Sequence, residues 1–94
     1  MDNYLSEVID SLSINDLKIL GILNDYEAEV KFKSLSKGDL SKKCELSDAK
    51  FRKALYRLEI TRFIDIIKDS KEHSIIITHV GHNALFTSLS KEVI

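Results

Sequence analysis

The chain has no proline, three glycines and one cysteine among 94 residues. A single cysteine excludes a disulfide framework within the chain and fits a reducing compartment. So few glycines, with no proline, leave little material for a phosphate-cradling loop. No apolar run approaches the ~18–20 residues a membrane span needs, and no signal-peptide pattern opens the sequence. A cytoplasmic protein without membrane contact is expected. Catalytic signatures are missing as well: there is no nucleophile elbow and no His-Glu-x-x-His. His79 and His82 lie close in sequence, with His73 nearby, but no further histidine or cysteine pair completes a zinc set. The chain is read as a non-enzyme that holds no metal and no cofactor. Cys44 reads as a buried structural thiol, unless Lys42 and Lys43 lower its pKa enough for sensor chemistry.

What is present is the balance of a globular domain, with 44% hydrophobic and 31% charged residues. The length gives one domain, residues 1–94, in which 1–12 and 81–94 are flanking helices. A chain this short buries roughly two thirds of its unfolded surface, so a second subunit would help it. The formal net charge of −1 hides a segregation. Residues 1–29 carry one base, Lys18, and seven acids, whereas residues 30–62 carry ten bases and four acids. A basic middle is either an electrostatic footprint for a polyanion or a solvated lysine-rich surface. Its placement on the fold decides which.

One local pattern recurs at Leu12-Ser13, Leu35-Ser36 and Leu46-Ser47. Each serine is an expected N-cap, with the leucine before it forming a hydrophobic staple. Asp16 and Asp39 at the third helical position, and Asp48 at the first, suit the positive helix end. Helices are expected over about 2–11, 13–27, 36–44 and 47–60. In the last of these Phe51, Ala54, Leu55 and Leu58 face inward. After Arg62 the period changes. Phe63–Ile67 and His73–Thr78 read as the strands of a hairpin, and Val30–Lys33 as a candidate third strand. A closing helix over about 81–91 has Leu85, Phe86 and Leu89 as its apolar face. The expected class is α+β, mostly helical: a winged helix-turn-helix with a two-stranded β-hairpin wing and short flanking helices.

Residues 35–85 resemble the DNA-binding core of MarR-type regulators. The resemblance is carried by Leu46-Ser47, Phe51, Leu55, Leu58-Glu59, Phe63-Ile64 and the Thr78-x-x-Gly81-x-x-x-Leu85 segment. It implies duplex DNA as partner. Arg62 stands where that family usually has glycine, so it is strained if its φ is positive, or else it is placed to touch phosphate. Family members are usually longer, with terminal helices that build a dimer and a ligand pocket. A small-molecule effector site is not expected in this chain.

In this motif the N-terminal residues of the second helix reach base edges. Asp48, Ala49, Lys50, Arg52 and Lys53 are therefore the candidate readers. Lys37, Lys42, Lys43, Ser47, Tyr56, Arg57 and Arg62 suit phosphate contacts, and Lys68 and Lys71 sit at the wing. A two-fold dimer is expected through Tyr4, Leu5, Val8, Ile9 and Leu12 together with Leu85, Phe86, Leu89, Val93 and Ile94. These readings give a homodimeric, sequence-specific binder of double-stranded DNA that acts as a transcriptional regulator by occupancy. A plasmid or viral partition-site or replication-control protein would use the same chemistry. A winged helix that binds protein instead is the alternative of another class.

Overall fold

The computed structural model describes residues 12–68 and 71–93. All three serine caps form. Ser13 Oγ accepts from the Asp16 N–H at 3.2 Å, Ser36 Oγ from Asp39 at 3.1 Å and Ser47 Oγ from Lys50 at 3.3 Å. They open α1 (Ile14–Asp25), α2 (Lys37–Cys44) and α3 (Asp48–Ile60). A fourth helix, α4, spans His79–Val93. Between the helices lies an antiparallel sheet of β1 (Leu35–Ser36), β2 (Ile64–Ile67) and β3 (Ser74–Ile77), in the order β1-β3-β2. The hairpin register pairs Ile64 with Ile77 and Ile67 with Ser74.

The nearly all-round apolar surface of α1 has its explanation in its position. The helix packs against α2, α3, α4 and β3, so Ile19, Leu20 and Leu23 are completely buried. The four inward residues expected on α3, Phe51, Ala54, Leu55 and Leu58, all lie in the core. That leaves the opposite face of α3 to solvent.

Several expectations are corrected. The third strand is Leu35–Ser36, not Val30–Lys33. Leu35 pairs with Ile75 and packs on the core, whereas Lys31–Lys33 forms a single 3-10 turn with Phe32 94% exposed. The first described helix stops at Asp25, and Glu27 turns to φ 53°. The last helix begins at His79 because Thr78 starts it, its Oγ1 accepting from the Gly81 N–H at 3.0 Å. Leu85 faces this chain's own core with Ala84, so it is not free for a partner, whereas Phe86 and Leu89 are about half exposed. The expected 2–11 helix, with Tyr4, Leu5, Val8 and Ile9, lies outside the described residues, as does Ile94.

Three non-glycine residues have positive φ: Glu27, Glu45 and Arg62. Each follows a helix. Arg62 has φ 67°, and its carbonyl accepts a 2.6 Å bond from Thr78 Oγ1, which holds the turn into the wing. A side chain in this region costs ~1–2 kcal/mol, partly offset in a glycine variant by its freer unfolded chain. Arg62→Gly is therefore expected to stabilise the fold by about 0.5–1 kcal/mol. Thermal unfolding should show a rise of about 3–6 °C. A lower melting temperature would show that the Arg62 side chain contributes more than its backbone costs.

Candidate nucleic-acid interface

At 100° per residue, Ala49, Lys53 and Tyr56 lie opposite the buried stripe of α3. All three are exposed, Tyr56 to 65%. The same row continues to Ile60, 62% exposed, a position that the helical periodicity of the sequence also places on this face. Asp48 and Arg52 flank this row on the side of the wing. Lys50 and Arg57 flank it on the other side. The candidate readers Asp48, Ala49, Lys50, Arg52 and Lys53 thus share one exposed N-terminal surface of α3. Ser47, also exposed, uses its hydroxyl as the cap and leaves its other bonding capacity to solvent.

The wing approaches this surface and leaves an open groove of about 620 Å³. Lys37, Gly38 and Ser41 of α2, Asp48, Phe51 and Arg52 of α3, and Lys71, Glu72 and His73 of the wing line it. A second, smaller groove between α3 and β2 shares Lys37, Arg52 and His73, and adds Tyr56, Glu59 and Lys68. Lys37, Arg52 and His73 therefore form the saddle between helix and wing. The Lys37 backbone N–H donates to the His73 carbonyl at 2.9 Å, which ties the start of α2 to the wing. His73 was absent from the residues expected at the site. No spacing in the sequence places it beside Arg52; strand pairing does.

The phosphate candidates do not all converge. Lys42 and Lys43 occupy the last turn of α2, and the Lys43 ammonium stands 4.6 Å from the ring centroid of Tyr26. Lys68 lies 4.0 Å from Glu59, which links the wing to α3. Arg62 is exposed at the far end of α3 from the readers. Arg57 turns its guanidinium toward α1 and binds Asp16 at 2.8 Å, while 45% of its side chain stays exposed.

Burial pushes the Cys44 thiol above its ordinary value, against a smaller opposing effect of Lys18 rather than of Lys42 and Lys43. A raised pKa disfavours the reactive thiolate. His82 stacks on Phe86 with ring centroids 4.6 Å apart, and its Nδ1 lies 3.8 Å from Glu29 Oε1. Among the described residues no group of three histidine, cysteine or acidic side chains is placed to hold a metal ion, and no helix is long and apolar enough to cross a membrane.

No protein-family model matches the chain. The DNA-binding protein TubR of Priestia megaterium is 39% identical over 85 residues, which covers 90% of this chain and 84% of that protein. The solved structure of TubR from Bacillus megaterium pBM400 superposes with a TM-score of 0.87 at 37% identity, covering 93% of this chain and 97% of that one. A Staphylococcus aureus MepR–DNA complex reaches a TM-score of 0.72 at 22% identity, covering 98% of this chain and 74% of that one. At that identity the MepR likeness concerns the fold, which is the winged helix expected from residues 35–85.

Proposed function

The chain belongs to the TubR family of DNA-binding proteins, and from that membership we propose that it binds double-stranded DNA sequence-specifically as a two-fold homodimer. The observation that carries this is the coincidence of Lys50, Arg52 and Lys53 with the solvent face of α3, the helix that enters the major groove in this motif. Arg52 or Lys53 suits guanine O6 and N7, and Ala49 a thymine methyl. Lys37, His73 and Lys71 suit the backbone beside it, where contacts position without specifying. Asp48 and Glu72 in the same groove oppose close phosphate approach, so Asp48 suits a cytosine N4 donor.

Regulation of a promoter and binding of a plasmid or viral partition site would use this same chemistry, and the likeness to the DNA-binding protein TubR fits both. A dimer would present two copies of α3 to half-sites about one helical turn apart. Its contact surface includes Phe86 and Leu89, apolar residues that α4 leaves half exposed. Phe86→Lys with Leu89→Lys should convert a dimer into a monomer in sedimentation, with the fold retained because neither side chain is in the core. An unchanged mass would place the interface elsewhere.

The function is tested by fluorescence anisotropy on two labelled duplexes, the DNA upstream of the protein's own coding region and the same bases scrambled. Specific binding should exceed the scramble by at least ~10³-fold. It should fall steeply between about 50 and 200 mM salt. A footprint over repeated sites supports partition, and a single protected site over a promoter supports repression by occupancy. Equal affinity for both duplexes would overturn sequence-specific binding at that region.

A further inference from the structure

α3 is held from behind by a buried charge. Asp16 is 1% exposed, in the first turn of α1. Its Oδ2 accepts from the Ser13 N–H at 3.0 Å and from Arg57 Nε at 3.3 Å, and its Oδ1 accepts from Arg57 Nη2 at 2.8 Å. Arg57 Nη2 also donates to Ser13 Oγ at 3.3 Å. The helix start of α1 and the last turn of α3 thus share one network across 41 residues of sequence.

We propose that Asp16 and Arg57 are positioning residues for DNA recognition: the pair fixes the roll of α3 so that Lys50, Arg52 and Lys53 meet base edges. This rests on the DNA-reading role proposed for α3. Capping alone does not require the arrangement. Asp39 holds the same third position in α2 and is exposed, with the Ser36 cap intact. Nor does stability explain it well, since Arg57 keeps 45% of its side chain exposed and a half-exposed ion pair contributes little. A planar guanidinium bound to both carboxylate oxygens fixes angle as well as distance, which an ammonium cannot do. Lys53 and Lys50 lie four and seven residues before Arg57 on adjoining helical positions, about 6–10 Å along a rigid axis. A rotation of α3 at Arg57 therefore moves both.

The test compares wild type, Asp16→Asn, Arg57→Lys and Arg57→Gln on the upstream and scrambled duplexes, after circular dichroism has shown each variant folded at the assay temperature. Charge alone makes Asp16→Asn a tighter binder of a polyanion, because it removes an acid. Positioning makes the opposite outcome the expected one. Asp16→Asn and both Arg57 variants should lose about tenfold in affinity for the upstream duplex, the worth of part of one base contact. Affinity for the scramble and the salt slope should stay as in wild type. If Asp16→Asn does not fold, Arg57→Lys carries the test, since it keeps charge and stem and loses only the fork. Asp16→Asn binding as tightly as wild type overturns the proposal. So does rescue by Arg57→Lys with a slope lowered by about 0.9 in Arg57→Gln, the mark of a direct phosphate contact. Wild type that binds no duplex overturns the DNA reading as well, and unaltered variants beside a binding wild type overturn the positioning role alone.

Discussion

Gly81→Ala is expected to lower the melting temperature by about 12–24 °C, a loss of about 3 kcal/mol. A Cβ at this position would lie 2.0 Å from the Phe63 carbonyl oxygen, 2.8 Å from its carbon and 3.0 Å from its Cα. Ordinary contact needs roughly 3.5 Å, so α4 and the start of the wing must separate by about 1 Å or more. No rotamer change relieves this, because the obstacle is backbone. The Phe63 backbone cannot yield easily either. Its side chain is 1% exposed in the core, and its carbonyl accepts from the Thr78 N–H at 3.0 Å. Moving α4 would also draw Ala84 and Leu85 out of the core. Gly21→Ala is the matched comparison, since nothing lies within 4 Å of its Cβ position in α1. There the better helix former should stabilise the protein by up to about 1 kcal/mol. Calorimetry of the two variants decides the matter. A Gly81→Ala protein that melts within about 5 °C of wild type would show that the helix can shift at little cost.

Arg52→Ala and Lys53→Ala should each weaken specific DNA binding by about 10- to 100-fold, the range of one good base contact. Together they should bring the affinity close to that for scrambled DNA. Both side chains are exposed, so stability should stay within about 0.5 kcal/mol of wild type. The two variants differ in what they report. Lys53 stands at the centre of the outer face of α3 and should act mainly on the ratio of specific to scrambled binding. Arg52 leans into the groove beside Lys37 and His73. If it contacts phosphate there, its removal lowers affinity for both duplexes alike and reduces the salt slope by about 0.9. Unchanged affinity in the double variant would remove α3 from the interface and favour a protein partner for this face.

The element plan was legible because it is written in short-range grammar. Each serine cap closes over three residues, and the buried face of α3 follows from a 3.6-residue period that Phe51, Ala54, Leu55 and Leu58 obey. The resemblance of residues 35–85 to a winged helix held for the same reason, since caps, strand alternation and the Thr78–Gly81 segment are local. The charge segregation was equally plain in the sequence, and its meaning depended on a helical face that periodicity supplied.

What the sequence by itself determined, then, was where the helices start, which face of α3 is buried and where the positive charge collects. Only the tertiary structure decided the partner of Arg57, the residues that meet Arg52 across the wing, the strand role of Leu35 and the inward turn of Leu85. It also gave Gly81 its reason, which is a carbonyl 18 residues earlier in the chain rather than a backbone angle. The physical difference is one of range. Caps and periods are set by atoms a turn apart, so the chain specifies them wherever it goes. A long cationic side chain can reach several partners, and the pairing of Arg57 with Asp16 arises only when α1 and α3 pack and bury that carboxylate.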